Sequence, residues 1–221
     1  PLVELARPAA DRAAFLASRG LDPARPVLAV LPGSRRQEVA HNLPPIAAAL
    51  GLLQERRPEL QLALAVAPSL DPGLFDGPLA GLPVTRVSAA THELLSASSA
   101  GIVASGTATV EAALMDLPMV VVYRLSPLTY ALGRPFVRVP HYAMANLIAG
   151  RKGVTELIQG AFRPERVVGE VGALLAGPRR REVLSGLAEV RARLGPPGAS
   201  ARAAEVVARL MAESRKNLTA R

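Results

Sequence analysis

Residues 104–123, ASGTATVEAALMDLPMVVVY, read as a strand end, a tight corner, a helix, a short turn and a second strand. The apolar run Gly101-Ile102-Val103-Ala104 enters the stretch. Ser105-Gly106-Thr107 makes the corner, and helical spacing runs from Ala108 to Met115. Asp116-Leu117-Pro118 breaks that helix before the apolar run Met119-Val120-Val121-Val122. A corner of small residues opening a helix leaves backbone N–H groups uncovered at the positive end of the helix dipole. Such a place suits an anion, for example a diphosphate. Glu111, one turn into the helix, is within reach of sugar hydroxyls there. The plainer reading is that Ser105 and Thr107 cap a helix and Glu111 is a solvated first-turn acid. The corner alone leaves both readings open.

The same alternation extends upstream. Residues 26–31 form an apolar strand turned sharply by Pro32-Gly33-Ser34, and residues 60–66 and 82–87 give two more strands. Between them the expected helices cover 8–19, a region opened by Arg35-Arg36-Gln37-Glu38-Val39, and 91–95 with Thr91 as its cap. The main helix of the second region is expected to start at Pro44-Pro45, with Asn42 capping it, and to end near Arg57. Asp71 to Phe75 suggests a short helix. Downstream, Ser126 with Pro127 opens a helix ending near Gly133, residues 140–153 read as loop, and helices follow from Arg163, over 178–193 and over 200–214. Strands alternating with helices imply a Rossmann-like α/β fold: a parallel sheet with helices on both faces and added C-terminal helices. In such sheets ligands sit at the carboxyl ends of the strands, where the connections change direction. Both small-residue turns, Pro32-Gly33-Ser34 and Ser105-Gly106-Thr107, fall at such ends. Arg35 follows the first turn directly, where its planar fork can clamp a diphosphate.

Composition narrows the chemistry. The 221 residues are 50% apolar, enough for one sizeable domain with an appended helical tail. There is no cysteine, which removes thiol nucleophiles, thiolate metal sites and disulfides and fits a reducing compartment. The net charge of +8, almost all from arginine, favours anionic partners, whereas only 3% aromatic residues argues against nucleic-acid readers that stack bases. No apolar run is long enough to span a bilayer and no signal-like segment opens the chain. The first residue is Pro1, so a piece of a longer product is expected. No Walker A, G-x-G-x-x-G or G-x-S-x-G pattern occurs, and His41, His92 and His141 lack metal-ligand spacing.

Several stretches together resemble one family, lipid-A-disaccharide synthase, a glycosyltransferase of the two-domain GT-B type. They are Leu31-Pro32-Gly33-Ser34-Arg35-Arg36-Gln37-Glu38-Val39, the ASGTATVEAA run from Ala104, and Pro118 to Arg124 running into Leu125-Ser126-Pro127-Leu128-Thr129-Tyr130. Two more are Val137-Arg138-Val139-Pro140 and Asn146-Leu147-Ile148-Ala149-Gly150-Arg151 followed by Glu156-Leu157-Ile158-Gln159. The resemblance covers roughly 27–160 and implies the C-terminal, donor-binding half of a GT-B enzyme. The organisation expected is an entry segment and helix over 1–24, a UDP-sugar-binding α/β domain over 25–160, and a helical segment over 161–221. That last segment is expected to pack on the domain or toward a missing N-terminal domain.

The family joins a UDP-linked acylated glucosamine to an acylated glucosamine phosphate with inversion, at the cytoplasmic face of the inner membrane. By this resemblance Ser34, Arg35, Gly106 and Thr107 contact the diphosphate and Glu111 binds the ribose. Asn146, Arg151, Glu156 and Gln159 belong to a loop facing the donor sugar or phosphates. The catalytic base is expected on the absent half. No metal or cofactor is implied, the acceptor is a lipid-linked sugar, and no nucleic acid is involved. Departures from the family pattern at Ala143-Met144-Ala145, His141 and Gly153 leave room for a different UDP-sugar. A UDP-N-acetylglucosamine 2-epimerase-like enzyme and a non-catalytic UDP-sugar-binding module are the alternatives. Leu128, Leu132 and Phe136, with Arg134 and Arg138, suggest either a peripheral patch for an anionic membrane or packing on the domain's own sheet.

Overall fold

The computed structural model describes residues 2–5, 11–126, 129–130, 132 and 139–219. After a four-residue helix α1 (Leu2–Leu5) and α2 (Arg12–Ser18), the chain alternates strand and helix: β1 (Val27–Leu31), α3 (Arg36–Arg56), β2 (Gln61–Val66), β3 (Val84–Ser88), α4 (Thr91–Ala97), β4 (Ala100–Ala104), α5 (Ala108–Leu114) and β5 (Met119–Tyr123). Then come α6 (Met144–Ala149), β6 (Thr155–Ile158), α7 (Pro164–Leu175), α8 (Pro178–Leu194) and α9 (Ala199–Thr219). The six strands form one sheet in the order β3-β2-β1-β4-β5-β6, every neighbouring pair parallel. β1 and β4 are buried along their whole length because helices cover both faces.

The order reverses between β1 and β4. Right-handed connections running outward in opposite directions put α3 on one face and α4, α5 and α6 on the other. The packing agrees: α3 and α7 lie together, while α5, α6 and α8 form a second group. Helices α7 and α8 contribute Val167, Val171, Leu174, Val183, Leu187 and Val190 to the same core as the sheet. Arg180 at the start of α8 donates to the carbonyls of Ser99, at 2.5 Å, and Leu174, at 3.0 Å. The described part of α9, by contrast, is exposed from Ser200 to Met211.

Several local expectations change. α3 is one continuous helix of 21 residues with Pro44 and Pro45 inside it, not a helix starting at those prolines. Val39, Leu43, Ile46, Leu50 and Leu53 recur at helical spacing and are all buried, and that burial offsets the hydrogen bonds the prolines cannot make. Asn42 therefore caps nothing. Ala90, not Thr91, is the N-cap of α4, and Thr91 makes no capping bond. The expected loop 140–153 contains α6, closed by Gly150 at φ +66°. A sixth strand joins the sheet, pairing Leu157 with Val122. Asp11 caps α2 as a first-turn acceptor for Ala13 and Ala14, and Asp71 starts a short 3-10 turn over Pro72–Phe75. The start of the helix expected from Pro8 and most of the helix expected from Ser126, with its membrane-facing reading, lie outside the described residues.

β4 carries a glycine for a packing reason. A Cβ on Gly101 would stand 2.9 Å from Leu117 Cδ2 and 3.3 Å from Val103 Cγ2. Gly101→Ala is expected to lower stability by about 1–3 kcal/mol through overpacking, read as a reduced midpoint in urea unfolding. Gly77→Ala is the control, since nothing lies within 4 Å of the corresponding Cβ position.

Candidate functional site

β1 and β4 end side by side, and each is followed by a small-residue turn. At the first, Gly33 has φ +128°, and a Cβ there would lie 2.8 Å from Glu38 Cβ, so only glycine fits the turn against the first coil of α3. The Ser34 and Arg35 N–H groups point at Glu38 Oε2, at 3.1 and 3.3 Å. The Arg35 guanidinium meets Glu38 Oε1 at 2.7 Å. The Arg35 side chain is 81% exposed whereas that of Glu38 is 15% exposed.

At the second turn Ser105 is held from two sides: its N–H donates to Val122 O at 3.0 Å and its hydroxyl to Tyr142 O at 2.7 Å. Gly106 takes φ +154°, and its carbonyl accepts the buried Thr109 hydroxyl at 2.8 Å. Among the described residues neither the Gly106 nor the Thr107 N–H has an acceptor. Glu111, on α5, lies 3.5 Å from His92 Nε2 on α4.

These two turns border one cleft of about 420 Å³. Gly33, Ser34, Arg35 and Glu38 line it from the β1 side; Ser105, Gly106, Thr107 and Glu111 line it from the β4 side. Ala67 after β2, Thr91 on α4 and Met144 on α6 complete the walls. The fold thus brings together Ser34, Arg35, Gly106, Thr107 and Glu111. The donor set is cationic and amide-rich, which suits an anionic group; the carboxylate of Glu111 suits hydroxyl donors.

The other four candidates are not on the cleft wall, and their polar atoms are committed elsewhere. Asn146 is buried; its Oδ1 accepts from Gly153 and Val154 N–H at 2.8 and 2.9 Å, and its amide donates to Val154 O and Glu156. Glu156 lies in β6 and takes the N–H groups of Tyr142 and Ala143, so it anchors the start of α6. Gln159 opens a 3-10 turn and pairs with the Leu125 N–H at 2.8 Å. Arg151 forms a forked pair with Glu189 of α8, and that hydrogen bond holds Glu189 below the usual carboxylate value. These four side chains brace the segment from 142 to 159 and tie it to Leu125 and to α8.

Sequence reasoning missed Glu38 and His92. A glutamate three residues after the N-cap position can reach back to the N-cap N–H, and that spacing from Arg35 signals Glu38's position. Nothing local signals His92, which meets Glu111 only because α4 and α5 pack together.

A second cleft of about 550 Å³ shares Arg35 and Glu38 with the first and opens onto His41, Tyr123, Ser126 and Thr129. Burial, aided by the charge of Glu38, pushes the Tyr123 phenol above its ordinary value of 10.0, with Arg35 opposing. The proton is thus held more tightly in the folded chain. The resulting stabilisation is complete below pH 10.0 and is lost as pH rises through the higher folded value. Glu38→Gln is expected to lower the Tyr123 titration midpoint and Arg35→Ala to raise it. Ultraviolet titration of tyrosine ionisation checks this, with Tyr123→Phe identifying the signal.

Residues 1–190 match the family model described as lipid-A-disaccharide synthetase. The lipid-A-disaccharide synthase of Myxococcus xanthus is 44% identical over 221 residues, a match covering 97% of this chain and 57% of that protein. The chain spans about half the length of the curated relatives it matches. Among solved structures, a spinosyn rhamnosyltransferase superposes with a TM-score of 0.58 at 17% identity, covering 90% of this chain and 50% of its own. A UDP-GlcNAc 2-epimerase from Neisseria meningitidis, solved bound to UDP-GlcNAc, gives 0.60 at 14% identity, covering 87% and 47%. Transferases and an epimerase share this Rossmann-like GT-B fold, so the fold does not choose between them. By its sequence, this chain belongs to the lipid-A-disaccharide synthetase family.

Proposed function

We propose that this chain is the UDP-sugar-binding half of an inverting glycosyltransferase that makes the lipid A disaccharide or a closely related glycolipid. The observation that carries the reading is the meeting of two anion-suited turns and a carboxylate in one cleft at the point where the strand order reverses. The diphosphate lies against the N–H groups of Ser34, Arg35, Gly106 and Thr107, with the Arg35 guanidinium folded over it. Glu111 accepts from the vicinal hydroxyls of the ribose.

Attack on the anomeric carbon breaks the bond to the β-phosphate oxygen, and negative charge grows on the departing UDP. Donors already aimed at that oxygen stabilise the transition state more than the ground state. Arg35 and the two turns supply this within the chain. The remaining half of the protein supplies the lipid-linked acceptor and the base that removes its proton. The work takes place at the cytoplasmic surface of the membrane. Among the described residues no helix is long and apolar enough to cross it. Kinship with disaccharide synthases favours this reading over epimerisation or a silent binding module.

Calorimetric titration with UDP, UDP-N-acetylglucosamine, ADP, GDP and uridine tests the proposal. A preference for the uracil diphosphates is expected, and equal or absent binding of all five ends it. Loss of a charge-assisted contact worth about 1.5–3 kcal/mol predicts that Arg35→Ala weakens UDP by roughly 10- to 150-fold and leaves uridine nearly unchanged. Glu111→Ala is expected to weaken UDP and uridine alike, but not 2′,3′-dideoxyuridine, which lacks the diol.

A further inference from the structure

Asn42 sits in α3 with no exposed surface, among the apolar residues that face the sheet. Burying an amide is costly unless both of its ends are hydrogen-bonded. Here both are. The side-chain nitrogen donates to Pro32 O at 2.9 Å, and Oδ1 accepts from the Arg124 N–H at 2.8 Å. Pro32 opens the turn that carries Ser34 and Arg35, and Arg124 is the first residue beyond β5. β1 and β5 are not neighbours, since β4 lies between them. Asn42 therefore reaches across a strand to tie two strand exits together.

The far end of this tie is itself anchored. The Arg124 guanidinium donates to Phe162 O at 2.5 Å and lies over the Phe162 ring, 5.2 Å from its centre. The near end is a turn whose next residue, Gly33, has no side chain to hold it. A glycine turn fixed through the preceding carbonyl keeps its following N–H groups aimed at one place, and donors aimed before a ligand arrives need not be ordered on binding.

We propose that Asn42 is a positioning residue for the diphosphate site, holding the Pro32-Gly33-Ser34-Arg35 turn so that its N–H groups face the cleft. The proposal rests on the nucleotide reading given above. It concerns Asn42 acting through the turn and not touching the ligand.

Two variants separate positioning from packing. Asn42→Leu fills the space and removes both hydrogen bonds. Asn42→Asp keeps the shape. Its protonated carboxyl can still donate to Pro32 O and accept from Arg124, whereas its ionised form sets two oxygens against that carbonyl. Burial raises the pKa of such a carboxyl into a workable range. UDP and uridine affinities are measured from about pH 5 to 8 for both variants, with the unmodified protein alongside to remove the ligand's own titration.

Asn42→Asp is expected to bind UDP nearly as the unmodified protein does at the acid end and about 10-fold more weakly at the alkaline end, one factor of ten being about 1.4 kcal/mol. Asn42→Leu is expected to bind UDP weakly throughout, and uridine affinity to stay flat in both. Amide hydrogen exchange at Ser34 and Arg35 should quicken in parallel with the loss of UDP affinity. Unchanged UDP binding in both folded variants overturns the proposal, as does a parallel loss of uridine. If Asn42→Leu does not fold, the pH profile of Asn42→Asp decides alone. If the unmodified protein ignores UDP, the nucleotide reading fails, and exchange at Ser34 and Arg35 still decides whether Asn42 holds the turn.

Discussion

β1 and β4 lie side by side, point the same way, and are buried on both faces. Two such strands need helices on each side, and the connections leaving them must go to opposite faces. No covering helix can then lie over the point where they part. The opening left at their carboxyl ends is the cleft, and every feature of the site depends on it. Gly33 and Gly106 are the residues whose backbones bend away on either side of it, both at positive φ. Arg35 and Glu111 are the first long polar side chains to follow each bend.

The rest of the structure braces that opening. Ser105 is tied to Val122 and Tyr142, Thr109 to Gly106, and Asn42 to Pro32 and Arg124. Asn146 and Glu156 lock the chain around α6, whose Met144 closes one wall of the cleft. Most of these bonds come from buried or half-buried side chains to backbone groups. They fix where the turns sit while leaving their outward N–H groups free. The exception is Glu38, whose carboxylate lies on the Ser34 and Arg35 N–H groups. An arriving diphosphate has to share those donors with Glu38 or displace it.

Much of the fold was legible because its central strands are continuous apolar runs bounded by glycine and proline. Both turns were legible for the same reason: strand, small residues, helix. The short elements were not. β6 is four residues, TELI, at the sheet edge, with neither an apolar run nor strong alternation. α6 lacks a capping side chain of its own and borrows the carboxylate of Glu156 from the following strand. In α3 the local rule that proline breaks a helix gave way to burial of the face running from Val39 to Leu53. The family resemblance of their motifs assigns Asn146, Arg151, Glu156 and Gln159 to a donor-facing loop. The folded chain spends their hydrogen bonds on backbone groups and on Glu189.

The sequence by itself determined a parallel α/β sheet, two anion-suited turns at strand ends, the family, and Ser34, Arg35, Gly106, Thr107 and Glu111 as the residues to watch. The sheet and the turns follow from burial patterns and backbone preferences that belong to single segments, whereas the family and the roles of those residues follow from the resemblance of motifs spread along the chain. Only the tertiary structure decided that the two turns face one cleft, that Glu38 lies on the first of them, and that His92 meets Glu111. It alone revealed Asn42 as a tie between strand exits and not a cap. The physical reason is distance along the chain. Asn42 and Arg124 are 82 residues apart, and no local pattern can report a hydrogen bond that exists only once the intervening strands are in place.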